Sequence, residues 1–229
     1  EQLGRIRPPV LWAALCLGIT GLLVPYALTL TTIANNAFAM SSTPFITLIL
    51  AFVFLGERIS KSTIMAMIFA SFGIILMIFA GLGTGTTVGN ILALMVAVGF
   101  SAFAVIVRGN RDIEMTPCLL IAGVIVIFGS VLENNSGYKI SANDLTLCIL
   151  WGAVLSGIVH WAFILAAKHL AATELTLFTL FEFALAPIWV WFFINEKPEQ
   201  MAMIGGIIVI LAVAGRTMLE LVRDGKYSS

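Results

Sequence analysis

The chain has 229 residues, of which 60% are hydrophobic and only 10% charged, and its mean hydropathy is +1.07. A soluble domain would carry about 25% charged residues, so water is excluded as the main solvent. Twelve basic and twelve acidic side chains cancel, which leaves no basic surface for nucleic acid and no acidic tail for a polybasic partner.

In chain order, no Asp, Glu, Lys or Arg occurs from Pro8 to Gly56, or again from Ser62 to Val107. Each stretch is about twice the ~20 residues that cross the hydrocarbon core, so each must hold a pair of helices. A cleaved leader would be one short apolar run behind a basic start, whereas here apolar runs recur to the end of the chain. Turn residues and charges predict eight spans, at about 10–30, 34–55, 62–80, 88–107, 116–132, 145–167, 173–193 and 201–219. The dividers have recognisable chemistry: a polar turn from Thr31 to Asn36, a Gly/Thr connector over 81–89, Pro117 at a helix start and a long polar loop from Glu133 to Asp144. The expected fold is an all-α integral membrane protein, a helical bundle.

Orientation follows from Lys and Arg, which are enriched in cytoplasmic loops. With alternating spans, one side collects Arg5, Arg7, Arg58, Lys61, Arg108, Arg111, Lys168, Arg216, Arg223 and Lys226, and the other only Lys139 and Lys197. Both termini are therefore expected in the cytoplasm, with the chain threaded through the inner (plasma) membrane.

An internal repeat emerges when the chain is slid by 139 residues: Gly56-Glu57-Arg58 lands on Asn195-Glu196-Lys197, each after a long apolar helix. The charge distribution puts Glu57 inside and Glu196 outside, so the copies are inverted, a plan that lets one repeat rock against the other around a site near the midplane. Segments one to three pair with six to eight. Segments four and five lack counterparts, so two helices are expected ahead of Glu1 in a ten-helix, five-plus-five protein, and without them the cavity wall is incomplete and no transport is expected. The expected organisation is a truncated first repeat over 1–82, a connector over 83–87, a second repeat over 88–220 and a cytoplasmic tail over 221–229.

These residues carry a family resemblance. Ala34-Asn35-Asn36-Ala37, Ser42-Thr43-Pro44-Phe45 and the apolar run to Phe54-Leu55-Gly56-Glu57-Arg58 resemble the EamA repeat of the drug/metabolite transporter superfamily. Leu180-Phe181-Glu182 through Phe193-Ile194-Asn195-Glu196-Lys197 is similar to that family's second repeat, although Phe183 stands where the family often has Pro, and Asn195 where the first copy has Gly56. The resemblance implies a ten-helix inverted-repeat carrier, often an exporter of amino acids, metabolites or drugs in bacterial inner membranes.

Within the spans, Glu182 is the most informative residue, because an unpaired charge at the centre of segment seven would cost at least ~2.5 kcal/mol. It is a candidate to titrate or bind substrate in a cavity, or else a neutral acid bonded to a carbonyl freed by Pro187. His160 lies at a similar depth on segment six and could pair with Glu182 for proton coupling; the plainer alternative is a neutral His satisfied by a neighbouring Ser or carbonyl. Tyr26, Asn35, Asn36, Ser41, Ser42 and Thr43 are the first copy's candidate cavity residues, with Trp161 beside His160, and Pro44 and Pro187 are candidate helix breaks. Singly, such polar residues also serve as glue between helices. Trp12, Trp151 and Trp191 suit interfacial anchors, and Glu57 and Glu196 suit caps or gating contacts with basic neighbours.

Cys16, Cys118 and Cys148 are odd in number and lack ligand spacing, so they read as small hydrophobes. No catalytic residue, metal site or cofactor is expected, and with no phosphate-binding loop the energy must come from the solute or an ion gradient. The expected partners are a small-molecule substrate and the lipid bilayer, with a homodimer as an open option. The reading is a secondary transporter working by alternating access, with its cavity built from segments two, six and seven. A membrane-embedded enzyme and a non-transporting assembly or sensor subunit are the rivals.

Overall fold

In a computed structural model, residues 7–57, 60–78, 86–133, 141–194 and 200–225 are described. The 83–87 connector, most of the long polar loop after Glu133, and the Asn195-Glu196-Lys197 turn lie wholly or largely outside them.

The described helices are α1 (Pro8–Leu30), α2 (Ile33–Ser41), α3 (Thr43–Leu55), α4 (Lys61–Ile78), α5 (Thr87–Gly109), α6 (Pro117–Glu133), α7 (Ala142–Cys148), a π-helical stretch (Ile149–Ser156), α8 (Gly157–Ala167), α9 (Ala172–Phe178), α10 (Leu180–Ile194) and α11 (Gln200–Gly225). End to end, α2 with α3, α7 through α8, and α9 with α10 each make one rod, so the elements form eight rods. Those at Pro8–Leu30, Asn35–Leu55, Thr87–Gly109 and Ala142–Ala167 are long and apolar enough to cross a membrane, and shorter apolar helices lie at Lys61–Leu76, Pro117–Leu132 and Met203–Arg216. The chain is an all-helical membrane bundle among its described residues.

Local chemistry sets the rod ends. Pro8 and Pro9 open α1, where a missing N–H costs nothing. The side chains of Thr32, Thr86 and Ser141 accept from the backbone N–H three residues on and so cap α2, α5 and α7. Gly56 closes α3 at φ +65°, a conformation that a Cβ disfavours, and its N–H donates to Phe52 O at 3.2 Å. That turn sends Glu57 back over the bundle end.

Two larger cores result, each mixing alanines, which let backbones approach, with bulkier apolar side chains. One joins α1, α5, α6 and α8 through Val10, Ala13, Ala14, Phe103, Val107, Cys118 and Ile164. The other joins α4 and α11 through Ala66, Met67, Ala70, Ile74, Val209 and Val213. At the α4–α11 crossing, a Cβ on Gly73 would lie 2.6 Å from the Gly205 carbonyl oxygen, so nothing larger than glycine fits. Helix α9 ties the cores together, because Leu175 sits in the first and Leu177 in the second.

The sixth rod behaves differently. Neither α7 nor the π-helical stretch has a buried residue, and α8 buries only Ile164 and Ala167.

Candidate functional site

The second rod breaks because of its own sequence. Pro44, in the first turn of α3, has no N–H, and Phe45 N–H donates to Ser42 O at 3.0 Å in place of the carbonyl one residue earlier. The Ser41 carbonyl is thereby freed, and Ser71 Oγ of α4 donates to it at 3.4 Å. Ser41 and Ser42 hydroxyls donate back to Phe38 O at 2.7 Å and Ala39 O at 2.6 Å, competing with the helix ladder on the other side of the break.

Beside this break lies a cavity of about 450 Å³ lined by Asn35, Phe38, Ser41, Ser42 and Phe45 of the broken rod, by Ser71 and Ile75 of α4, and by Asn90 and Leu94 of α5, with Ala39 completing the wall. That volume is in the range of small-molecule sites. Its described lining is neutral: amides, hydroxyls, two phenyl rings and aliphatic chains. Asn90 Oδ1 accepts from Thr31 Oγ1 at 2.5 Å, and Asn35 Nδ2 donates to the same threonine at 3.0 Å, which pins α2 to the start of α5.

The other end of the bundle is closed by charge. Asn90 and Arg108 both stand on α5, about 27 Å apart along its axis. Arg108 Nε donates to Glu57 Oε1 at 2.9 Å, and its Nη1 caps the end of α8 by donating to Ala167 O at 3.1 Å and Lys168 O at 3.3 Å. The second oxygen of Glu57 accepts from Ala172 N–H at 3.3 Å, the first residue of α9. Glu174 accepts from Ala171 N–H at 3.2 Å and is ion-paired with Arg216, whose Nε donates to Thr63 Oγ1 at 3.2 Å. Two carboxylates thus grip the start of α9, each balanced by an arginine from another rod. Arg216 is 3% exposed, so its charge depends on this pairing. At the rim, Lys168 and Glu114 stand 4.0 Å apart, largely in solvent, where such a pair contributes little. Glu114 is held below the ordinary carboxylate pKa chiefly by hydrogen bonds from the hydroxyl and N–H of Thr116.

Of the residues singled out from sequence, Ser41 and Ser42 line the cavity, and Asn35 joins them. Asn36, Tyr26 and Thr43 do not: Asn36 keeps a buried Oδ1 without a partner, Tyr26 is 37% exposed on α1, and Thr43 is fully buried below the break. His160 Nδ1–H donates to Ser156 O at 2.8 Å within its own rod, and its ring meets Phe103 edge-on at 6.3 Å. Trp161 is 48% exposed and Glu182 is exposed on α10, and no hydrogen bond or ion pair joins Glu182 to His160, whose ring contacts are Ser156 and Phe103. The cavity described above is walled by segments two, three and four, in place of the expected two, six and seven, because the break at Ser42 faces α4 and α5. Pro44 coincides with a break, whereas the seventh rod is helical at Pro187 and breaks at Thr179.

Glu57 was expected to contact a basic neighbour, and it pairs with Arg108. The Glu174–Arg216 pair was missed, although both residues lie within apolar segments, where a charge needs an opposite charge.

Eight helical rods among the described residues, most of them apolar, with a neutral cavity among three of them and buried charge tying one end, define a multi-pass helical membrane protein. Residues 2–79, about a third of the chain, match the model of the EamA-like transporter family. No curated protein matches the chain. A solved structure titled only "Crystal structure of protein" superposes with a TM-score of 0.71 at 16% identity, covering 94% of this chain and 90% of its own. At that identity the likeness speaks for the fold alone.

Proposed function

We propose that the protein is a secondary carrier that exports a small amphipathic metabolite, amino acid or drug across the inner membrane by alternating access. The observation that carries this is the pairing of a neutral cavity beside a broken rod with an ion-paired closure about 27 Å away. A cavity accessible from one face and a barrier at the other is what a carrier needs in one of its two states. The two broken rods are the corresponding members of an inverted repeat, and the basic, latched end faces the cytoplasm. In this state the solute enters or leaves at the opposite face, and opening the latch exposes the cavity to the cytoplasm. Energy comes from the solute gradient or from protons.

The test is reconstitution of the full-length protein in liposomes loaded with a metabolite mixture, with and without a pH gradient, scoring which compounds cross. Solute-specific exchange is expected, and it should fall when Glu57 or Arg108 is neutralised. Equal leakage of all compounds from protein-containing and protein-free vesicles would sink the carrier reading. A flux indifferent to His160→Gln across the pH range would remove His160 from any proton coupling.

A further inference from the structure

Buried polar groups in native proteins are almost always hydrogen-bonded, and each exception calls for a reason. Among the described residues, three buried hydroxyls have no partner: Thr43 and Thr47 on α3, and Thr173 on α9. All three residues are 0% exposed. They are not scattered. Thr43, Thr47 and Ala51 recur at four-residue intervals and so share one face of α3, and Ala51 packs with Val105 of α5 and Ala172 of α9. That contact fixes the face toward α5 and α9. Thr173 stands one turn ahead of Leu177, on the α9 face that enters the second core, against which Leu48 of α3 also packs, and the buried Thr176, one turn beyond Ala172, returns its hydroxyl to Thr173 O at 3.1 Å. Ser101 of α5 lies beside the column, its single hydroxyl proton shared between Ala97 O at 2.7 Å and Thr43 O at 3.1 Å.

The column runs from the floor of the cavity at the Ser42 break to the latch at Glu57 and Ala172, about 18 Å along α3. Toward the latch the seam is aliphatic, Ala51 against Val105 and Ala172, but toward the cavity it keeps hydroxyls, although an unpaired buried hydroxyl costs about 1–3 kcal/mol. We infer that the α3–α9 seam is the closed half of the solute's path, and that Thr43, Thr47 and Thr173 are hydroxyls waiting for water or solute when the latch opens. The inference rests on the carrier reading for the solute, but the seam's opening can be tested without one. It also extends the cavity's chemistry: cavity and seam set hydroxyl and amide groups among apolar side chains, with no formal charge in their described walls, so the solute they fit is small and amphipathic.

The experiment uses protein with Cys16, Cys118 and Cys148 replaced by Ser, carrying Thr47→Cys or Thr173→Cys, reconstituted and exposed to a membrane-impermeant methanethiosulfonate ammonium reagent. With the latch intact, labelling should be negligible. With Arg108→Gln it should accelerate by about ten-fold or more, because losing a charge-assisted hydrogen bond shifts a two-state equilibrium by that factor. Equal slow labelling in both backgrounds, while a Glu57→Cys control labels freely, would overturn the seam. Should Arg108→Gln not fold, Thr47→Val/Thr173→Val decides: a raised Tm with slower solute exchange supports the path, and a raised Tm with unchanged exchange removes it. Accelerated labelling without exchange of any solute would leave the seam as a water path and defeat the carrier reading. Exchange without labelling would do the reverse.

Discussion

The rod of α2 and α3 and the rod of α9 and α10 both break partway, at Ser42 and at Thr179, yet their starting turns are secured by different chemistry. Slid by 139 residues, Asn35 falls on Glu174, and each is the third residue of its half-helix. At the first, Thr32 caps the helix with its own hydroxyl, and Asn35, Thr31 and Asn90 form a neutral chain. At the second, Ala171 has no hydroxyl, so Glu174 reaches back to its N–H and draws in Arg216, while Glu57 and Arg108 do the same from the other side. Neutral hydrogen bonds contribute about 0.5–1.5 kcal/mol each, whereas stranding one member of a buried pair costs about 3–5 kcal/mol. The neutral end can exchange its bonds with water or solute, and the charged end holds until several bonds part together.

That contrast can be broken from its strongest point. Arg216→Met, which leaves Glu174 without its arginine, should destabilise the protein by about 3–5 kcal/mol, read as a lowered Tm in detergent. Adding Glu174→Met should return most of the loss, and failure of the double variant to recover would show that the pair is not the source. Glu57→Gln should cost less, about 1.5–3 kcal/mol, and should speed proteolysis around 168–172 by loosening the start of α9. At the neutral end, Asn90→Ala should lower stability by only about 1 kcal/mol; a larger drop than for Glu57→Gln would reverse the comparison. Pro44→Ala restores an N–H at the break, with a stability change expected within about 1 kcal/mol. Its signature should be functional: solute exchange slows while Tm holds or rises.

The spans themselves were legible because charged and turn residues divide the apolar sequence at nearly every rod end; the segment expected at 88–107 is α5, Thr87–Gly109. The first break was legible too, since Ser-Ser-Thr-Pro carries both the missing donor and the competing hydroxyls. The break at Thr179 was not, because no proline stands there and Pro187, two turns on, drew the attention. Partner choice was hidden for another reason. Glu57 meets Arg108 across 51 residues and Glu174 meets Arg216 across 42, distances at which periodicity says nothing about which faces meet. His160 illustrates the opposite: it donates to the carbonyl one turn back, the plainer of the two alternatives its sequence position offered.

The close crossing of Gly73 on Gly205 has a mechanical consequence. Two helices in backbone contact cannot slide or roll past each other without collision, so α4 and α11 act as a single stiff beam. The broken rods attach to it from both sides, α2 on α4 and α10 on α11. Motion is therefore left to the pieces that hinge on the beam, and a bulkier residue at 73, by prising the beam apart, would turn a fulcrum into a loose joint.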